Sequence, residues 1–291
     1  QKKMFNENFV DIINKFVFKV SLPVLLFKDI ATTPIRDAFD PKFVIFCMIG
    51  TTIMFMGIWA LTSIFMKDKS MVGAFTQASA RGSAAVLGIA FVQNIYGNSG
   101  MTPLMIVYAV PLYNIYSVII LTFCANNQDH SDKAATIKRA FKNILTNPII
   151  LGIAAGVPFS LLNIELPPLV LKTVTNVAQT ATPMALLAVG AGFEGRKAIK
   201  KLKPTMIATF IKLVALPAIY FPFAIAMGFR ESALVAILIM VGSPTTVTCY
   251  IMAKNMGNDG VLSSSIIVMA TLLSSVTLTF WIFLLKSMGL I

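Results

Sequence analysis

Two short stretches, Arg81-Gly82-Ser83-Ala84-Ala85 and Gly242-Ser243-Pro244-Thr245-Thr246, interrupt strongly apolar segments of this 291-residue chain. Both contain a Gly-Ser pair, and one fixed sequence offset relates the two pairs. Glycine permits backbone angles that other residues avoid, and proline removes an amide donor. Each stretch therefore predicts a helix that unwinds near its middle. Matching breaks in two halves of a hydrophobic chain are typical of secondary transporters, where they point to the substrate site.

The same offset relates further pairs of motifs. Pro23 recurs as Pro183, and Gly97-Asn98-x-Gly100 recurs as Gly257-Asn258-x-Gly260. Proline inside an apolar run predicts a kink, here toward the broken helices. Asn and Gly both tolerate left-handed backbone, so the Gly-Asn motifs predict tight turns that close those helices. We assign Pro23, Pro183, Gly97 and Gly257 structural roles as hinges.

The composition identifies an all-α integral membrane protein. Hydrophobic residues make up 57% of the chain and charged residues 12%, whereas a soluble domain carries about 25% charge. Mean hydropathy is +0.81. A membrane-spanning helix needs about 20 apolar residues. The sequence predicts nine such spans, at 9–30, 43–66, 71–95, 101–124, 147–164, 168–193, 204–227, 232–254 and 260–286.

The repeat pairs eight of these spans and leaves 147–164 without a partner. We therefore expect ten helices in the full protein, with the first one missing ahead of Gln1. Two five-helix units give an inverted repeat, because an odd number of helices reverses the second unit. The predicted organisation is a first repeat at 1–125, a cytoplasmic linker at 126–146 and a second repeat at 147–291.

The net charge of +12 reflects membrane orientation and not nucleic-acid binding. Most cations fall on alternate loops, which the positive-inside rule assigns to the cytoplasm. The N-terminus is therefore expected inside and the C-terminus outside. These cations are Lys2, Lys3, Lys67, Lys69, Lys133, Lys138, Arg139, Lys142, Arg196, Lys197, Lys200, Lys201, Lys203 and Lys254. The linker is read either as a basic amphipathic helix over Lys133 to Leu145 or as a solvated loop, and His130 within it is assigned no function.

No pattern in the sequence indicates an enzyme or a metal site. Cys47, Cys124 and Cys249 have no paired spacing, so neither a disulfide nor a metal site is expected. A cluster of histidines, a nucleophile motif and paired carboxylates are likewise missing from the sequence. We expect no cofactor.

The two breaks carry groups suited to an anion. Freed amides and the positive ends of half-helices attract negative charge, and Ser83, Ser243, Thr245 and Thr246 add hydroxyls. The alternative is that these small residues only allow helices to pack closely. Two breaks at identical offset favour the substrate site.

Charged side chains near the breaks are separate candidates, because intramembrane charges are costly and often functional. Arg81 directly precedes the first break and is a candidate charge partner for the substrate. Lys212, roughly 12 Å into its span by helical rise, is a weaker candidate. Neither break contains a carboxylate, so no proton relay is evident, and proton or sodium coupling is left open.

Several stretches resemble helix signatures of the auxin efflux carrier family, bacterial branch, in the family's order. They are Leu22-Pro23-Val24-Leu25-Leu26-Phe27, Arg81-Gly82-Ser83 through Gly88 and Tyr96-Gly97, Pro111-Leu112-Tyr113-Asn114, Asn147-Pro148-Ile149-Ile150-Leu151-Gly152, Thr182-Pro183-Met184-Ala185-Leu186-Leu187 with Gly190, and Ser243-Pro244-Thr245 with Ala253.

This resemblance implies ten helices, two of them broken and crossing, and a scaffold that supports a moving transport domain. It implies transport of small organic anions by alternating access, with dicarboxylates such as malate or malonate, or auxin-like carboxylates, as substrates. It also implies a homodimer through the scaffold, and it adds Asn114 to the substrate-binding residues. The family often has Asn where this chain has Ser83, and plant carriers have Asn around the second proline, where this chain has Ser243 and Thr245. Hydroxyls in place of amides disfavour auxin itself.

Two other functions stay open at this point. A sodium-coupled carrier of the bile-acid type would require acidic or amide ligands near the breaks, and these are scarce. A receptor that does not transport would normally carry a signalling domain. The residues assigned to substrate binding are Arg81, Gly82, Ser83, Asn114, Gly242, Ser243, Pro244, Thr245 and Thr246.

Overall fold

The computed structural model describes residues 6–32, 40–125 and 133–291. The first part of the expected linker, with His130, lies outside the described residues, as do the terminal cations Lys2 and Lys3. The second part is the helix Lys133–Leu145. The assignment of domains, and the inverted repeat with it, stays a prediction.

The described residues form sixteen α-helices and no β-strand. In chain order they are α1 Glu7–Phe16, α2 Leu22–Ala31, α3 Pro41–Phe65, α4 Val72–Ala80, α5 Ala84–Tyr96, α6 Thr102–Phe123, α7 Lys133–Leu145, α8 Pro148–Leu161, α9 Pro168–Gln179, α10 Ala181–Ala191, α11 Gly195–Lys200, α12 Leu202–Phe210, α13 Leu216–Ala226, α14 Glu231–Gly242, α15 Thr248–Asn255 and α16 Gly260–Ser287. The all-α fold class is confirmed.

Four continuous helical runs are long and apolar enough to cross a membrane: Pro41–Phe65, Thr102–Phe123, Leu202–Ala226 and Gly260–Ser287. The other predicted spans are shorter or divided. The spans 71–95 and 232–254 divide at the two polar stretches, giving α4 with α5 and α14 with α15. The interruption of both helices is therefore confirmed.

Helix starts follow the local chemistry of the chain. The side chains of Asp40, Asn147 and Asp259 accept hydrogen bonds from first-turn amides of α3, α8 and α16, as N-cap residues do. Gly97 follows α5 with φ of +75°, and Gly257 follows α15 with φ of +70°. Only glycine adopts this left-handed backbone without steric penalty, so both turns depend on it.

Small residues bring α8 against α2. A Cβ on Gly152 would lie 2.9 Å from the Cα of Pro23, and one on Gly156 would lie 2.9 Å from the carbonyl oxygen of Phe27. Both glycines lie on one face of α8, so the two backbones approach closely. Pro23 follows a π-helical segment, Val17–Ser21, and it packs there against α8.

A hydroxyl pair joins the two proline-containing regions. The Oγ of Ser21 lies 2.9 Å from the Oγ1 of Thr180. Thr180 separates α9 from α10, and Pro183 lies in the first turn of α10. A kink was predicted at Pro183, but the helical run is interrupted at Thr180, ahead of the proline itself.

Two hydrophobic clusters meet at the broken helices. One cluster contains α14 residues together with α3, α6 and α13, and includes Ala80 and Ala84. The other contains α15 residues together with α1, α2 and α10, and includes Ala78. Accordingly α4 packs on α15 and α5 packs on α14. The two broken helices thus cross where the clusters adjoin.

Candidate functional site

The two breaks lie side by side as short extended segments. Gly82 and Thr245 form an antiparallel bridge, and the amide of Ser83 donates to the carbonyl of Pro244 over 2.9 Å. Backbone freed from one helix is therefore paired with backbone freed from the other. Pairing of this kind satisfies polar groups that lipid cannot hydrogen-bond.

The crossing leaves no room for side chains at either glycine. A Cβ on Gly82 would collide with the Oγ of Ser243 and lie 2.9 Å from the Nζ of Lys212. A Cβ on Gly242 would lie 2.7 Å from the Cγ of Pro217. These glycines therefore serve close packing of the crossing, in addition to breaking the helices.

Side chains cap the carbonyl ends of both first half-helices. At the end of α4, the hydroxyl of Thr245 donates to Ala78 over 2.7 Å and Lys212 Nζ donates to Ala80 over 2.8 Å. At the end of α14, the hydroxyl of Tyr113 donates to the carbonyl of Met240 over 2.8 Å. Lys212 reaches that same oxygen at 3.5 Å. Carbonyl oxygens at the negative ends of α4 and α14 therefore have side-chain donors.

The amino ends of the second half-helices, α5 and α15, are open in the sense that their N-cap side chains make no capping hydrogen bond. Ser83 precedes α5 and Val247 precedes α15, and neither side chain caps its helix. First-turn amides have no acceptor within their own helix and carry partial positive charge. Ser83, Thr246 and Val247 are partly exposed. Partial positive charge and partly exposed residues therefore coincide at the amino ends of α5 and α15.

Arg81 is a buried cation to which no described residue supplies a counter-charge. Its side chain is 6% exposed, and its described hydrogen bond runs from Nη1 to the thioether sulfur of Met252 at 2.9 Å. The amide of Gln77 donates to the same sulfur at 3.4 Å. The ion pairs within the described ranges all involve other residues. Thioether sulfur is only a weak acceptor, so the guanidinium is poorly compensated.

Lys212 belongs to the crossing, although the sequence predicted only a minor role for it. It is fully buried and lies in a π-helical segment, Ile211–Ala215. The indole of Trp281 donates to the carbonyl of Leu213 in that segment over 2.9 Å. Such π-helical turns often occur at functional sites. The available signal was a single lysine within a long apolar run.

The remaining predicted side chains differ in how they are engaged. The Oγ of Ser243 is buried with no hydrogen-bond partner in the described structure, while Thr246 receives a hydrogen bond from Thr248 over 3.3 Å. Asn114 donates to the carbonyl of Val110 within α6 over 2.9 Å, and its Oδ1 is buried without a described partner. None of its described hydrogen bonds reaches either break.

Sequence reasoning overlooked Tyr113. It is the immediate neighbour of Asn114 and joins α6 to the end of α14. A tyrosine in an apolar helix gives no signal that its hydroxyl caps another helix, because only the packing brings the two together.

The structure also contains a cavity away from the crossing and three free thiols. A cavity of about 640 Å³ lies between α2, α8 and α9, with Ala31, Phe159 and Leu171 in its lining. In the part of the chain that the structure describes, no group of three His, Cys, Asp or Glu residues is placed to hold a metal ion. Cys47, Cys124 and Cys249 are free thiols.

Nearly the whole chain is similar to known membrane carriers. A family model described as "Membrane transport protein" matches residues 1–282. The chain belongs to this family, which is that of the auxin efflux carriers. It is therefore a membrane transporter. The resemblance inferred from the sequence motifs is confirmed.

Two curated relatives differ in how much of their own length the chain matches. A Rhizobium meliloti (strain 1021) protein named "Putative malonate transporter" is 24% identical over 94% of this chain and 87% of its own. A Mus musculus protein named "Lysosomal cholesterol signaling protein" is 23% identical over 72% of this chain but only 25% of its own. The family description and the name of the Rhizobium meliloti relative point to a transporter rather than an enzyme.

Proposed function

We propose that this protein is a secondary carrier of small organic dianions that works by alternating access. The substrate binds where the broken helices cross, with one carboxylate at Arg81 and the open amino ends of α5 and α15. Ser83 and Thr246 add hydrogen bonds to its oxygens.

The observation that carries this proposal is the buried, uncompensated guanidinium of Arg81. An isolated charge in a low-dielectric interior is strongly unfavourable unless it is paired. The described residues supply only a thioether sulfur at 2.9 Å, whereas a carboxylate would supply charge and strong acceptors. The open helix ends next to it favour the same sign of ligand.

The charge of the site supports one class of substrate. Two open helix ends and one arginine suit a compact molecule with two negative groups, such as malonate or malate. The name of the Rhizobium meliloti relative supports malonate as the first compound to test.

The cellular setting belongs to the same proposal. The chain acts in the plasma membrane, with the start of this chain in the cytoplasm and its end outside, following the positive-inside rule. It uses no bound cofactor and forms a homodimer through helices that do not carry the breaks. The whole protein has an inverted repeat of five-helix units.

The test is uptake of labelled malonate into proteoliposomes that contain the purified protein. A proton gradient, a sodium gradient and no gradient are compared, and unlabelled malonate, malate, acetate and uncharged dimethyl malonate are added as competitors. We expect saturable uptake that the two dianions inhibit and the diester does not. Inhibition by the diester as strong as that by malonate would contradict recognition of charge.

Arg81→Gln tests the assigned residue. It removes a charge-assisted hydrogen bond of roughly 1.5–3 kcal/mol, so KM should rise by about 10-fold to 100-fold. Lys19→Gln is the matched control, because Lys19 is an exposed cation elsewhere in the bundle and its loss should leave KM unchanged. An unchanged KM in Arg81→Gln would overturn the site.

The name of the mouse relative favours testing a receptor function alongside transport. Calorimetric binding of malonate to folded protein that shows no uptake under any gradient would support a receptor and contradict the carrier.

A further inference from the structure

The ammonium group of Lys212 lies near two backbone carbonyl oxygens at the crossing, and one side-chain oxygen lies beside the same space. It donates to the carbonyl of Ala80 at 2.8 Å and reaches that of Met240 at 3.5 Å. The Oγ of Ser243 adjoins the same space, because a Cβ on Gly82 would meet both that oxygen and the ammonium. This oxygen has no partner within the described residues.

This environment suits either a free monovalent metal ion or a lysine ammonium group. The last carbonyls of a helix carry partial negative charge, and here two helix ends point at one position. Carbonyl and hydroxyl oxygens with no carboxylate form a ligand set for a monovalent ion, and unwound helices of transporters bind Na⁺ in this way. A lysine ammonium provides the same charge on a tether.

The lysine has no counterpart in the other half of the chain. The offset that relates the two Gly-Ser pairs places Thr52 at the equivalent position. The hydroxyl of Thr52 donates to Met48 within its own helix and pairs with Tyr116. One lysine therefore serves the carbonyl ends of both broken helices, and its loss would remove the side-chain donor from the carbonyl of Ala80.

We propose that Lys212 occupies a monovalent-cation site built from the carbonyls of Ala80 and Met240 and the hydroxyl of Ser243. The tethered ammonium replaces a free metal ion, so the native protein needs no Na⁺ to hold its crossing together. The consequence for coupling, Na⁺-independent uptake, rests on the proposed function. The cation site itself does not.

The experiment removes the lysine and asks whether an ion takes its place. Lys212→Ser leaves space and adds an oxygen ligand, whereas Lys212→Met fills the space with an apolar chain of similar length. Thermal unfolding of each purified protein in detergent is measured at equal ionic strength in NaCl, KCl, LiCl and choline chloride.

We expect the Tm of Lys212→Ser to be at least about 3 °C higher in one alkali chloride than in choline chloride, because ligands that bind the native state raise Tm. Native protein and Lys212→Met should show no difference between these salts. A Tm of Lys212→Ser that is the same in all four salts would overturn the proposal, and so would a native protein stabilised by Na⁺.

A variant that does not fold has its own substitute. If Lys212→Ser is unfolded in every salt, Lys212→Gln replaces it, since its amide oxygen also provides a ligand, and the same Tm criterion applies. Unfolding needs no substrate, so this result is independent of whether malonate is transported. Uptake by native protein in sodium-free medium then tests the coupling consequence alone, and strict dependence on Na⁺ would contradict it.

Discussion

The two breaks are related by a fixed sequence offset, yet they differ in chemistry. The first covers Arg81 to Ser83, between α4 and α5, and contains a cation. The second covers Ser243 to Val247, between α14 and α15, and contains hydroxyls and a proline. Both first half-helices end in capped carbonyls, but the caps come from residues that the repeat does not relate: Thr245 and Lys212 for α4, and Tyr113 for α14.

This difference indicates that one set of residues interrupts the helices and another set supplies the hydrogen-bonding and charged groups at the crossing. Gly and Ser at matching positions give both halves the same interruption. The caps and the charges are distributed unequally: Lys212 bonds to the helix ends, whereas the described hydrogen bond of Arg81 reaches only the sulfur of Met252. Substitutions at non-equivalent positions should therefore separate packing, capping and ligand binding.

The largest effect is expected from Gly82→Leu, which places a bulky side chain between Ser243 and Lys212. Overpacking of this kind destabilises by about 1–3 kcal/mol or more, and displacement of Lys212 also uncaps α4. We expect loss of uptake and a lower Tm. Gly57→Leu is the matched control, because a Cβ at Gly57 meets nothing within 4 Å. Intact uptake in Gly82→Leu would show that the breaks do not cross as described.

Thr245→Val should have the second-largest effect, which is a loss of stability. It removes the hydroxyl that donates to the buried carbonyl of Ala78 over 2.7 Å, and an unsatisfied buried acceptor costs about 1–3 kcal/mol. Thermal unfolding measures the change. Thr246→Val provides the comparison in the same break, and an equal loss of Tm in both variants would remove the distinction between capping and ligand-facing hydroxyls.

Tyr113→Phe tests the cap of the second break. It removes one hydrogen bond, about 0.5–1.5 kcal/mol, while Lys212 at 3.5 Å from Met240 limits the damage. Tyr116→Phe also loses a hydroxyl contact, to Thr52 over 2.8 Å, but away from the breaks. We expect slower malonate uptake only in Tyr113→Phe. The same kinetics in both variants would argue against a role for this cap.

The smallest effect on stability is expected from Thr246→Val, within about 0.5 kcal/mol for a partly exposed site. Its KM for malonate should nevertheless rise by about 2-fold to 10-fold, since one hydrogen bond from an uncharged, partly exposed donor to the substrate is lost. Thr279→Val is the control, because Thr279 is exposed on α16 and bonds only within its own helix. A KM unchanged from native would remove Thr246 from the site.

Much of the fold was predictable because it depends on local chemistry. Long apolar runs specify helices, and Gly-Ser or Gly-Ser-Pro specifies where two of them break. Lys212 shows the limit of this reasoning. Its depth in the helix was estimated from helical rise. The direction of its side chain depends on the π-helical turn Ile211–Ala215, which the sequence pattern does not predict.

The sequence predicted the residues of the candidate site but not the hydrogen bonds that each of them makes. In the sequence, Thr245 and Ser243 are both hydroxyl residues of the same break. In the structure, Thr245 caps α4, whereas the Oγ of Ser243 has no partner among the described residues. Tyr113 and Trp281 were overlooked, because each donates to a carbonyl that is distant in the sequence.

The amino-acid sequence is sufficient to show that this protein is helical, lies in a membrane, breaks two helices at matching places and belongs to the auxin efflux carrier family. Composition and apolar run length decide the first two properties, local backbone preference decides the breaks, and the motifs identify the family. The packing of the folded chain, in contrast, sets which groups cap the broken ends and which cation has no counter-charge among the described residues. Hydrogen bonding and burial depend on atoms that folding brings together from distant parts of the chain.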